Sequence, residues 1–170
     1  MTHSSEAVMP EVDGRRDFDF LFGEWRVANR KLRHPVLRGS TEWLQFEATL
    51  VSGPILDGLG NFDTYLAPEF PDRGRYSGFG LRLFDPDSRL WRIWWASTIS
   101  RGQLDTPVVG RFRGGAGRFE CDDVIDGRAL QVRFDWTNIT ATSARWEQSF
   151  SFDDGKSFEP NWTMDLTRSS

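Results

Sequence analysis

Short turns constrain this chain more than any other feature. From Glu24 onward, segments of alternating apolar and polar residues follow one another, joined by connections such as Asp85–Pro86–Asp87–Ser88 and Asp153–Asp154–Gly155–Lys156. A connection that short joins antiparallel neighbours, whereas a parallel pair needs a crossover of about a dozen residues or more. No segment offers a long amphipathic helix to supply one. The pattern therefore predicts an all-β meander of about ten antiparallel strands. A meander of that size has two exposed edges unless it closes. An up-and-down barrel is the expected architecture, and a two-sheet sandwich is the alternative.

The first strand is expected near Glu24–Leu32, after a short helical turn in "DFDFLF" that Asp17 could cap. On "STEWLQFEATLV", Trp43, Gln45, Glu47 and Thr49 share one face; Leu44, Phe46, Ala48 and Leu50 share the other. Gly78 and Gly80, inside a strand, predict a bulge or bend. Residues 1 to about 14 are polar and aperiodic, so a disordered tail is expected before a single domain over 15–170.

Composition removes several function classes. The net charge of −4, from 21 basic and 25 acidic residues, argues against nucleic-acid binding, which needs basic patches to neutralise phosphates. The one basic cluster, Arg30–Lys31–Leu32–Arg33–His34, reads as a solvated strand end and loop. The N-terminus lacks the apolar core of a signal peptide, and no apolar run is long enough to span a bilayer. Cys121 is alone and so forms no internal disulfide. A cytoplasmic location is expected. No metal or other cofactor is expected either. His3 falls in the tail, His34 in a loop, and a zinc site needs about four suitable ligands. A Ser-His-Asp triad fails for want of a placed histidine. Eight tryptophans and fourteen phenylalanines are the compositional oddity, fit either to fill a core or to line a pocket.

Gly23–Glu24–Trp25, after a short turn, resembles the opening of the calycin barrels, the lipocalin and fatty-acid-binding group. The resemblance implies that Trp25 closes one barrel end and that a late basic residue, here Arg168, covers its ring. The chain is also similar to an uncharacterised bacterial family with a lipocalin-like domain, through "DFDFLFGEWRV", "LDGLGNFDTY", "GLRLFDPDSRLWRIWW", "PVVGRF" and "ARWEQSFSFDDGKSFEPNWTM". That resemblance implies the fold and leaves the function open. Haem binding, known in one calycin branch, requires a late-strand histidine that this sequence lacks. "SFDDGKSF" resembles the Asp box of sialidase propellers, but one copy in so short a chain reads as turn chemistry.

Polar residues inside aromatic strands are the candidate site. Trp43, Tyr65, Trp94 and Trp146 would supply apolar walls. Asn61, Asp63, Arg82, Arg111, Glu147 and Asn161 would supply orienting contacts. Arg82 or Arg111 could pair internally with Glu147. Binding of a small apolar or amphipathic molecule inside the barrel is the first expectation. The alternative is an isomerase or cyclase with Glu147 as buried general acid or base, and Glu47 or Asp63 behind it. Both faces of several strands carry aromatics, so periodicity alone does not assign the interior. An aromatic outer face would imply burial in a homodimer.

Overall fold

The computed structural model describes residues 12–169; the expected tail's residues 1–11 lie outside them. A 3-10 turn at Asp19–Leu21 leads into ten strands: β1 Gly23–Leu32, β2 Trp43–Ile55, β3 Gly60–Phe70, β4 Gly74–Asp85, β5 Leu90–Ser97, β6 Val108–Arg113, β7 Ala116–Ile125, β8 Arg128–Thr137, β9 Ser143–Ser151 and β10 Glu159–Arg168. Each strand pairs antiparallel with its sequence neighbours, and β1 pairs with β10, so the sheet closes into an up-and-down barrel. Closure gives every strand two partners and leaves no edge.

Alternation sets the inside. On β1, Trp25, Val27 and Asn29 are buried while Glu24, Arg26 and Ala28 are exposed. On β2 the buried set is Phe46, Ala48 and Leu50, with Gln45, Glu47 and Thr49 in solvent. The turns follow their side-chain chemistry. Asp85 accepts from the Asp87 amide (3.1 Å) and the Ser88 hydroxyl (2.7 Å). In "SFDDGKSF", Asp153 accepts from the Ser157 amide at 2.9 Å and from the Ser151 hydroxyl at 2.8 Å. The Ser157 hydroxyl also donates to it at 2.6 Å, and these bonds hold the Asp153 carboxyl down at about 2, the Ser157 hydroxyl contributing most.

Gly78 and Gly80 do not mark a bulge. β4 stays in register with β3 from Leu83 to Tyr76, and the irregularities lie instead at Ala67/Phe70 on β3 and Pro160/Trp162 on β10. The two glycines are clearance. A Cβ at Gly78 would sit 2.0 Å from the Trp95 ring, and one at Gly80 would sit 2.6 Å from Asp63 Oδ1. The β5–β6 seam is short, with three paired positions from Trp91↔Gly110 to Ile93↔Val108. Beyond it the segment 98–107 continues the wall, tied by the Asp105 amide to the Trp95 carbonyl at 2.8 Å.

One end of the barrel is plugged by the 3-10 turn. Phe18 is fully buried, with Phe112, Trp91 and Phe119 at 4.9, 5.0 and 5.6 Å between ring centroids. Trp25 donates its indole N–H to the Leu21 carbonyl at 2.8 Å. The Arg168 guanidinium lies 4.2 Å over the Trp25 ring. It also donates to the carbonyls of Phe20 (2.7 Å), Phe22 (2.7 Å) and Ala141 (2.9 Å). Gly23 is required beside it. Its φ is +116°, and a Cβ there would meet Arg168 Nη1 at 2.8 Å. Gly-x-Trp and the last arginine are thus one clasp across the β1–β10 seam. Replacing Arg168 by Met keeps stem packing but removes all three carbonyl contacts. We expect a loss of about 2–4 kcal/mol in urea unfolding followed by tryptophan fluorescence.

Candidate functional site

The two barrel ends are unlike. Connections 56–59, 86–89, 114–115 and 138–142 join the N-terminal turn at the plugged end; 33–42, 71–73, 98–107, 126–127 and 152–158 gather at the other. There an inner chamber of about 330 Å³ opens, walled chiefly by Tyr76, Trp95, Val132, Phe134, Trp146 and Trp162. Small-molecule pockets run from about 300 to 1,000 Å³, so the chamber suits a small occupant. A shallower groove of about 960 Å³ adjoins it, and Lys31, Pro35, Val36, Ile99 and Asp126 border both spaces.

The chamber floor rests on a polar hub. Asn29 Oδ1 accepts from the Tyr65 hydroxyl at 2.7 Å and from the Trp162 indole N–H at 3.0 Å. One buried amide thereby fixes two aromatic rings, leaving neither N–H nor O–H unpaired. Burial pushes the Tyr65 phenol well up, so it stays a neutral donor. Higher in the wall, Trp95 donates to the Tyr76 hydroxyl at 3.2 Å, and burial raises that phenol also.

Lys31 is the cation of the chamber. It follows Trp25, Val27 and Asn29 on the inward face of β1, not in the solvated loop that its basic neighbours imply. Its Nζ lies 4.7 Å from the Trp162 ring centre. Burial, followed by the nearby Arg73 charge, lowers its ammonium to about 8. Across the chamber Asp105 is raised by burial and then by Asp123. Cys121, inward on β7 below Asp123, is pushed up to about 12 by burial and the adjacent aspartates, which keeps it a thiol.

Of the ten residues singled out from sequence, Trp146 lines the chamber and Tyr65 braces its floor through Asn29. Asn61, Asp63 and Arg82 form a separate buried cluster toward the plug. Arg82 donates to Asn61 Oδ1 at 3.1 Å and to Asp63 Oδ2, with Phe18 under its guanidinium at 5.0 Å. Arg82 therefore pairs with Asp63, not with Glu147. Asp63 Oδ1 and Arg82 Nε have no partner among the described residues. Asn161, in the β10 bulge, accepts from Gln148 at 2.8 Å.

The other four face outward. Trp43 lies under Arg30 at 4.2 Å, and Trp94 sits opposite Leu81 on the outer face of β5. Arg111 and Glu147 both border a charged groove on the outside, across β6–β9, with Arg118, Asp135 and Arg145. Glu147 is half-exposed there, 3.8 Å from Arg145. The reason is register: Trp146 and Gln148 take the inward positions of β9 and leave Glu147 between them on the other face.

Sequence reasoning missed Lys31, Asn29, Trp95 and Trp162. The signals were present for three. The i, i+2 series from Trp25 reaches Asn29 and Lys31, and glycines on β4 opposite "IWWA" mark the face on which a large ring crosses.

No family model and no curated protein sequence matches this chain. Among solved structures it is similar to the S-type phycobiliprotein lyase CPES from Guillardia theta. That match has a TM-score of 0.59 at 8% identity and covers 96% of this chain and 99% of the other. The lipocalin-like barrel is the shared feature. Among the described residues no helix is long and apolar enough to cross a membrane.

The buried pair near the plug gives a sharp test. Asp63→Ala leaves the Arg82 charge buried and unpaired, with an expected cost of about 3–5 kcal/mol in chemical denaturation. The double change Asp63→Leu with Arg82→Met should cost less than Asp63→Ala alone.

Proposed function

We propose that this chain is a small-molecule-binding barrel of the bacterial lipocalin-like type its sequence resembles, working in the cytoplasm. The occupant is a mostly apolar molecule with one polar end, seated in the chamber with that end toward Lys31. The chamber carries this assignment: aromatic rings wall its inner part, and Lys31 and three aspartates gather toward its mouth, an apolar space with polar groups at one end. A phycobiliprotein lyase uses a barrel of this kind, but one architecture hosts unrelated functions, so the weight falls on this chain's own cavity.

Binding is favoured over an isomerase or cyclase built on Glu147, Glu47 or Asp63, because none of these three carboxylates borders the chamber. A general base in an apolar cavity needs enclosure. Glu147 and Glu47 lie on the outer face, and Asp63 is committed to Arg82 at the plugged end. Titration with the neutral fluorophore 1-aminoanthracene should show saturable binding to one site. Val132→Trp, which fills the chamber, should weaken it by at least about tenfold, equivalent to about 1.4 kcal/mol. Unsaturable binding, or equal affinity in a folded Val132→Trp variant, would overturn the assignment.

The outer face supplies a second copy's footing. Phe62 and Phe79 stack at 6.2 Å between centroids, and Val51 and Phe79 are 42% and 40% exposed. Leu81 and Trp94 continue this apolar strip across β4 and β5. With no free strand edge, self-association must use such a face. We expect a homodimer by light scattering at micromolar concentration, and a monomer for Phe79→Lys.

A further inference from the structure

Of the 21 basic residues in this chain only two are lysines, Lys31 and Lys156. Arginine serves at every surface ion pair described. Lys156 projects into solvent from the β9–β10 turn. Lys31 instead stands at the chamber's rim, where the inner space meets the outer groove. Among the described residues its Nζ has no hydrogen bond and no carboxylate partner, only the Trp162 ring. A structural cation would be expected to have an anion within reach.

An anionic ligand head would supply one, but the chamber is wrong for it. Asp105, Asp123 and Asp126 border the same space, so a carboxylate or phosphate would meet three acids and one ammonium. Arg73 approaches only from the groove side, where His34 and the Arg33–Asp72 ion pair also lie; Tyr76 is a further titratable group of the chamber wall. A neutral group that reacts with an amine suits these surroundings better. Lysine, unlike arginine, can present a free lone pair. Desolvation and a neighbouring cation are the two recognised ways of freeing it, and both act here through the aromatic wall and Arg73.

We propose that Lys31 forms a reversible imine with an aldehyde- or ketone-bearing apolar ligand held in the chamber. The proposal rests on the chamber being a ligand site. The neutral amine's lone pair attacks the carbonyl carbon, and the oxygen takes up a proton to give a carbinolamine. Water then leaves with that oxygen, the nitrogen loses its remaining protons, and a C=N bond stands where C=O was. One water is released and no oxidant, reductant or metal is consumed. Burial favours the imine, because its hydrolysis needs water that the rings exclude.

The decisive experiment uses decanal and decan-1-ol as matched probes, with cyanoborohydride to reduce any imine to a stable secondary amine and peptide mapping to locate it. In a separate titration without cyanoborohydride, both probes should displace N-phenyl-1-naphthylamine, a secondary amine that forms no neutral imine with the aldehyde. Lys31 should take the decanal adduct at least about tenfold faster than Lys156 at pH 7.5, since lowering an ammonium from 10.5 to about 8 raises its neutral fraction by roughly two orders of magnitude. The rate should climb with pH through about 8 and level off above it. Lys31→Arg keeps the charge and should lose the adduct with its urea midpoint unchanged; Lys156→Arg should retain both the Lys31 adduct and the binding of decan-1-ol. Displacement by both probes with equal labelling of Lys31 and Lys156 would overturn the imine alone. Displacement by neither would overturn the chamber as a ligand site and the imine with it.

Discussion

Everything in this protein depends on the seam between its first and last strands. Ten antiparallel ribbons with short turns fold only as a wall, and a wall has no inside until it closes. The Arg168 guanidinium performs that closure physically, stacked on Trp25 and bonded to carbonyls on both sides of the seam. Its position explains two sequence features at once. Gly23 lacks a side chain because the guanidinium occupies that place, and Trp25 is large because it must serve as both platform and lid.

Closure divides the interior into zones with different chemistry. Near the plug, aromatic rings pack on Phe18 and the Asp63–Arg82 pair is shut away from water. In the middle, Asn29 gathers Tyr65 and Trp162. Toward the mouth the packing stops and a chamber begins. The three zones follow one strand: Trp25, Val27, Asn29 and Lys31 step along β1 from lid to rim.

The architecture was legible because turn length and period two are local properties. Asp85–Pro86–Asp87–Ser88 and Asp153–Asp154–Gly155–Lys156 announce their turns by their own side chains. The site was only partly legible, because which face is inside is a collective property of register. "RWEQ" places Trp146 and Glu147 side by side, and nothing within those four residues says which of them turns inward. The same holds for Trp94 and Trp95. Asp63 and Arg82 are far apart in sequence, and only the β3–β4 ladder shows that they meet. Lys31 was hidden by its neighbours: Arg30 and Arg33 are surface residues, and the alternation that separates it from them carries through a cluster of like charge.

The three-residue seam between β5 and β6 has a mechanical meaning. A cylinder laced evenly all round resists any change of girth. This one is laced loosely along a single flank, beside the chamber, where segment 98–107 takes over from the strands. The Trp25–Arg168 buckle, on the opposite side of the sheet order, sits on a seam of seven paired positions. The wall is thus most sparsely laced where the chamber lies and fastened by that buckle where the interior is packed solid.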